Sequence, residues 1–187
     1  MAESKNNVLT HGLAGLVGDM IVFRNRGGKT FVSVKPKERT GEPTEVQKQH
    51  QGQFQEAILY AKTAITDPAK KAAYDDATTG GQTAYNVAVA DFFHAPEIKE
   101  INVSGYTGKT GDTIKVKATD DFKVAEVSVA IYNADGSEVE HGLAVQSTNG
   151  VEWVYIATAD NTSLDGDKIV VRVSDLPGHT TAGEQQI

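Results

Sequence analysis

The sequence predicts an α+β chain of two domains, a β-hairpin packed with about three helices over residues 1–95 and an antiparallel β-sandwich over residues 96–187. Three observations carry that reading. Apolar residues recur at helical spacing through an alanine-rich stretch, residues 43–95. From residue 97 onward they recur every second residue instead. The charge is split as well: residues 1–96 hold eleven Lys and Arg against ten Asp and Glu, net +1, and residues 97–187 hold seven against fifteen, net −8. Stretches that differ in both period and charge read as two folding units.

The first element is the hairpin. Met20-Ile21-Val22-Phe23 and Phe31-Val32-Ser33-Val34 flank Arg26-Gly27-Gly28-Lys29. Gly-Gly suits a two-residue turn because both positions must accept positive φ. Closing the turn there pairs Phe23 with Val32 and Ile21 with Val34 on one apolar face. The reverse face receives Arg24, Arg26, Lys29 and Lys35, with Met20, Val22 and Phe31 among them. A lone hairpin is marginal in water, so the helices are expected to cover the apolar face. Ahead of it, Gly12, Gly15 and Gly18 mark tight turns.

Thr44 with Gln47 forms a capping box that starts the first helix, whose apolar stripe is Val46, Phe54, Ala57, Ile58, Ala61 and Ile65. Asp67 caps a second helix with Pro68 at its first position. A third is predicted over 82–93, burying Tyr85, Val89, Phe92 and Phe93, and is stopped by Pro96. Beyond it, Ile114, Val116 and Ala118 alternate with Lys115, Lys117 and Thr119, and Val127, Val129 and Ile131 with Ser128, Ala130 and Tyr132. Trp153 and Tyr155 share a face, as do Ile169, Val171 and Val173. Asp135-Gly136, Asn149-Gly150, Asp165-Gly166 and Pro177-Gly178 punctuate these runs, the pattern of a sandwich of short strands.

Two segments of the second half resemble a known family. Thr110-Gly111-Asp112-Thr113-Ile114-Lys115-Val116-Lys117-Ala118-Thr119-Asp120-Asp121 is similar to the second-strand region of bacterial immunoglobulin-like (Big-type) domains. Ile169-Val170-Val171-Arg172-Val173-Ser174-Asp175-Leu176-Pro177-Gly178-His179 resembles their closing strand and Asp-x-x-Gly-Asn turn, with His179 in place of the Asn. The resemblance covers residues 96–187 and implies an immunoglobulin-like sandwich; it specifies fold rather than activity. The segment His11-Gly12-x-x-Gly15-x-Val17-Gly18-Asp19 is similar to one in uncharacterised bacterial proteins and implies no function.

Composition and motifs narrow the chemistry. At 39% hydrophobic and 23% charged, the chain has the make-up of an ordinary globular protein. With no cysteine it has no disulfide, thiolate metal site or cysteine nucleophile. The net charge of −7 argues against a nucleic-acid coat. The apolar stretch over 8–23 is interrupted by Thr10, His11 and Asp19 and lacks a small-residue cleavage site, so it is read as part of the mature protein. With no run long enough to span a bilayer, the expectation is cytoplasmic synthesis followed by release or surface assembly. Gly28-Lys29-Thr30 and Gly108-Lys109-Thr110 echo a phosphate-binding loop, but Phe23 and Val103 stand where its first glycine is required. His11, His50, His94, His141 and His179 have no metal-ligand spacing, and there is no Gly-x-Ser-x-Gly elbow. No catalytic residue is assigned, and the chain is expected not to be an enzyme.

Two sets of residues remain as site candidates. Asp120, Asp121, Asp135, Asp165 and Asp167, with Asp160 and Asp175, sit at predicted turns and are the candidate calcium ligands. Asx turns explain them more cheaply, so no cofactor is expected. The basic hairpin face, Arg24, Arg26, Lys29, Phe31 and Lys35 continuing to Lys37 and Arg39, is the candidate interaction surface. Its cations and aromatic suit nucleic acid, but a hairpin's solvated face is commonly charged and that plainer reading is preferred; a third option is an acidic protein surface such as the second half of another copy. The functional expectation is a non-enzymatic assembly subunit that self-associates into a bacterial or virion-like filament, particle or surface layer. The alternatives are an adhesion or ligand-binding module using the sandwich loops, with Tyr106 and Tyr132 as exposed aromatics, and nucleic-acid binding through the hairpin.

Overall fold

A computed structural model of the chain describes residues 2–4, 10, 12–26, 28–38 and 41–187, and in them twelve strands form three antiparallel four-stranded sheets beside three helices. The fold is α+β. Contacts divide the chain into two units, Met1–Ala88 and Val89–Ile187. His11, Gly27, Arg39 and the side chain of Arg26 lie outside the described residues.

In the first unit the strands β1 (Ala2–Ser4), β2 (Gly15–Val17), β3 (Ile21–Arg26) and β4 (Lys29–Val34) lie in the order β1-β4-β3-β2. The β3–β4 hairpin has the predicted register: Phe23 opposes Val32, Ile21 opposes Val34, and Arg26 opposes Lys29 across the turn. It is the centre of a sheet rather than an isolated hairpin. Gly18 and Asp19, at φ of 59° and 57°, turn β2 back onto β3.

The helices α1 (Glu45–Ala64), α2 (Pro68–Asp76) and α3 (Ala84–Asp91) follow. The capping box is present: the Gln47 amide donates to Thr44 Oγ1 at 3.3 Å and the Thr44 amide donates to Gln47 Oε1 at 3.0 Å. Asp67 Oδ1 accepts from the Ala69 amide at 2.8 Å and caps α2. The predicted stripe is buried only in its second half, fully at Ala57 and Ala61 and partly at Ile58 and Ile65, with Ala64 buried beside it, while Val46 and Phe54 are exposed. There the Tyr60 and Tyr74 hydroxyls meet at 2.7 Å, tying α1 to α2. On α3, alanines take the inner positions: Ala84 and Ala88 are buried, Tyr85 and Val89 are half-buried, and Phe93, expected inside, is exposed. The division between the units falls within α3, and beyond it the Phe92 ring lies edge-on to the His179 ring at 5.1 Å.

The helices do not cover the hairpin face as the sequence reading required. Ile21 remains 40% exposed and Val34 79% exposed. Helix-forming residues enclosed their own small core of alanines and tyrosines, leaving the sheet's apolar row open.

The second unit holds β5 (Glu97–Asn102), β6 (Thr113–Thr119), β7 (Val124–Tyr132), β8 (Glu138–Leu143), β9 (Val145–Gln146), β10 (Glu152–Ile156), β11 (Lys168–Asp175) and β12 (Thr180–Gln186). They make two sheets, β5-β6-β10-β9 and β12-β11-β7-β8. The alternation is realised residue by residue: Ile114, Val116, Val127, Val129, Ile131, Ile169, Val171 and Val173 are fully buried in one shared cluster with Trp153 and Tyr155. β-branched side chains suit this role because they pack on a pleated surface with little rotamer freedom to lose. Truncating one of them leaves a cavity between two sheets that cannot collapse independently. Ile131→Ala is therefore expected to lower unfolding free energy by about 2–5 kcal/mol in urea titration.

Candidate functional site

The site is the open face of the N-terminal sheet. Register places Val17 beside Ile21 and Ile21 beside Val34, so β2, β3 and β4 carry one continuous apolar row. Val17 is exposed, as are Ile21, Val34 and the neighbouring Met20. Next to the row a cleft of about 620 Å³ is lined by Met20, Ile21, Val34 and Pro36 together with the charged Asp19, Lys35, Lys37 and Glu38. The same face is closed at its other end. Buried Thr30 donates to Asn25 Oδ1 at 2.7 Å and accepts from the Gly12 amide at 3.2 Å, and Asn25 Nδ2 donates to the Gly12 carbonyl at 3.1 Å. These bonds tie Gly12 to the turn end of the sheet, where Phe23 and Val32 are half-buried. Burying a Val, Ile or Met side chain contributes about 1.5–3 kcal/mol, so a row left in water is a standing drive toward association.

The sequence-predicted interaction residues divide around this face. Arg24 opposes Phe31 and Arg26 opposes Lys29, which sets all four positions on the reverse side of the sheet. Arg24 is exposed with no ion-pair partner among the described residues, and Phe31 is half-buried. Lys35 is held by Asp19 at 2.6 Å. The basic strip exists, and it backs the apolar row rather than forming it. The pairing of Ile21 with Val34 was legible in the sequence; the extension of the row to Val17 was not, because β2 has three residues and opens on a glycine.

The calcium candidates are not brought together. Consecutive turns alternate between the two ends of an antiparallel sheet, so Asp120 and Asp121 lie before β7 while Asp135 lies after it, beside Asp165 and Asp167. Asp120 Oδ2 accepts from the Lys123 amide at 2.9 Å, and Asp121 pairs with His94 at 3.0 Å. Asp135 Oδ1 accepts from Ser137 Oγ at 2.6 Å. Buried Asp167 accepts from Asn161 Nδ2 at 2.6 Å and the Ala134 amide at 3.1 Å. Asp165 stands exposed. Among the described residues no group of three or more His, Asp or Glu is placed to hold a metal ion.

Both phosphate-loop echoes are turns. Asp160 Oδ1 accepts from the Thr110 amide and hydroxyl at 2.8 Å each, and Asp112 Oδ2 accepts from the Thr107 and Lys109 amides at 2.7 and 3.0 Å. Gly108, at φ 86°, lies so close to the Asn161 carbonyl oxygen that a Cβ would collide with it. Hydrogen bonding holds the Asp112 and Asp160 carboxyls below the usual range, through the Lys109 and Thr107 amides and the Thr110 amide respectively. Asp175 and His179 rebuild the closing turn: Asp175 Oδ1 accepts from the Gly178 and His179 amides at 2.7 Å each, and Oδ2 meets His179 Nδ1 at 2.8 Å. Tyr106, expected exposed, is buried and its hydroxyl accepts from Asn161 Nδ2 at 3.4 Å; Tyr132 is half-buried on an outer face.

One buried carboxylate gave no sign in the sequence. Glu140 Oε2 accepts from Tyr155 OH at 2.9 Å, Thr158 Oγ1 at 2.6 Å, and the Thr158 and Ala159 amides at 2.8 and 3.2 Å. Burial pushes this carboxyl up, but the bonds from Thr158, Tyr155 and Ala159 outweigh it and leave it below its ordinary value of 4.5. Tyr155 is pushed up to about 12 by burial and by the Glu140 carboxylate.

No family model and no curated protein sequence matches the chain. Among solved structures it is similar to CopC from Methylosinus trichosporium OB3b, at 18% identity over 48% of this chain and 87% of that one, with a TM-score of 0.35. A similarity to an engineered protein, at 13% identity and TM-score 0.33, covers 57% of this chain and 30% of that one. With scores this low, neither likeness identifies a family or an activity. No described helix is long and apolar enough to cross a membrane.

A carboxyl whose folded pKa is depressed stabilises the fold above its unfolded value, and that contribution is lost as pH falls through the folded one. Thermal melts between pH 7 and pH 2 are therefore expected to show the parent losing stability below about pH 4.5 more steeply than Glu140→Gln. Glu140→Ala, which strands four donors, is expected to cost about 2–4 kcal/mol at pH 7.

Proposed function

We propose that this chain is a non-enzymatic structural subunit that self-associates through the apolar face of its N-terminal sheet, and that its second unit is an immunoglobulin-like sandwich presented by the assembly. The carrying observation is the uncovered row Val17–Ile21–Val34, continuous across three strands, with exposed Met20 lining the adjoining cleft. Three large apolar side chains in register on one sheet face are the composition of an interface core, and they sit above a basic reverse side that stays solvated. The strand orders β5-β6-β10-β9 and β12-β11-β7-β8 support the immunoglobulin-like plan, in which the first, second and fifth main strands share a sheet and the third, sixth and seventh share the other. Joining copies through an apolar row also fits the charge distribution: the net −8 half repels its equivalents and stays at the periphery.

Sedimentation equilibrium over a wide concentration range, at low and high salt, tests this reading. The parent is expected to sediment as a multiple of 20.0 kDa, with association undiminished at high salt because apolar contacts are not screened. Val34→Glu places a charge on a side chain that is 79% exposed, so it is expected to leave the melting temperature within about 2 °C while weakening association at least about tenfold. A parent that stays at 20.0 kDa at every concentration contradicts the proposal.

A further inference from the structure

The outer face of the sheet β12-β11-β7-β8 carries a trough that nothing in the assembly reading uses. Register arranges its outward side chains in rows. Ala130 lies between Val170 and His141, Ser128 between Arg172 and Leu143, and Tyr132 between Lys168 and Glu138. Ala130, Ser128 and Val170 are short, so they make a floor; Tyr132, His141 and Arg172 stand around them as walls. The resulting hollow measures about 260 Å³. A second of about 380 Å³ adjoins it and shares the Tyr132 wall, floored by Gly136 and Gly166 with Lys168 at its side. The two hollows share Tyr132 as a common wall and follow one another along β7 and β11, together forming the trough.

The lining is amphipathic and mixed in sign. Tyr132 offers a ring beside an aliphatic floor. Arg172 offers the fixed fork of five guanidinium donors and has no ion-pair partner among the described residues. His141 is bonded through Nδ1 to Glu138 at 2.6 Å, which fixes the ring and leaves Nε2 and the carboxylate's other oxygen for a ligand. In the second hollow Lys168 reaches Glu184 at 3.4 Å. Each cation thus has an acid nearby, Arg172 with Glu138 across the same hollow and Lys168 with Glu184. A strongly charged ligand of either sign meets its like charge here. A neutral ring whose hydroxyl groups both donate and accept, and whose C–H face lies on an aromatic, meets complementary groups throughout.

The geometry points to a glycan-binding site: the trough takes two or more linked neutral pyranose rings, one packed on Tyr132, with hydroxyls held by Arg172 and by the His141–Glu138 pair. This site is separate from the apolar row, and the proposal stands whether or not the chain self-associates. The test is a backbone-amide NMR titration of the full chain with maltotriose, cellotriose, chitotriose and xylotriose, each to about 10 mM. The result expected is saturable shifts from at least one sugar, confined to Ser128, Ala130, Tyr132, His141, Arg172 and their neighbours. Both Tyr132→Ala and Arg172→Met, outward positions whose loss leaves the core intact, are expected to weaken that binding roughly tenfold. Absence of shifts with all four sugars overturns the proposal, as do shifts located elsewhere or either variant binding as tightly as the parent. Shifts on this face from a triglutamate peptide and from none of the sugars overturn it in favour of an acidic peptide.

Discussion

The dry layer between the two facing sheets of the second unit governs where everything else on that unit lies. Ile114 and Val116 on β6, Val127, Val129 and Ile131 on β7, and Ile169, Val171 and Val173 on β11 are all at zero exposure. Because strand side chains alternate, fixing these residues inward fixes Ser128, Ala130, Tyr132, Val170 and Arg172 outward with no freedom to exchange. The trough is thus a consequence of the core. The same layer admits a carboxylate, Glu140, only because four donors converge on one of its oxygens.

The first unit obeys a different balance. Its helices satisfy themselves with alanines and a tyrosine pair, and its sheet is small, three of its residues per edge strand. Such a sheet cannot enclose its own apolar side chains, and short strands leave little surface for another element to grip. The Thr30–Asn25–Gly12 bonds close one end of the face and leave the other to water. A face half closed by polar bonds and half open with valine and isoleucine is stable in position and incomplete in burial. Under the proposed self-association, a second copy would supply the missing burial.

Much of this was legible in the residues. The Gly-Gly dipeptide pointed to the hairpin register because the turn it suits admits few other residues, and Gly28 is at φ 74°; Thr44 with Gln47, and Asp67 with Pro68, marked two helix starts by the same kind of local chemistry. The alternation over 113–119, 124–132 and 168–175 named the inward residues because period two is imposed by the backbone itself. What escaped depends on distance along the chain. Ala2–Ser4 and Gly15–Val17 are too short to show a period. Tyr106 sits in a loop, where no period says inside from outside; it joins the core cluster, and its hydroxyl meets Asn161, 55 residues away. Glu140 looks like a surface position until Thr158 and Tyr155 are brought to it. The acidic turns show in the sequence, but which of them share an end of the sheet depends on strand direction, which places Asp120 and Asp121 at the end opposite Asp135, Asp165 and Asp167.

In the proposed assembly the row Val17–Ile21–Val34 is covered by another copy of the chain and not by the chain's own helices. Isotope-filtered NMR on an equal mixture of copies carrying 13C-labelled Ile and Val methyls and unlabelled copies measures this directly, since only contacts between copies survive the filter. Intermolecular cross-peaks are expected at the methyls of Val17, Ile21 and Val34. Their absence from these three residues in associated material, or strong contacts from them to α1 within one copy, would contradict that assembly.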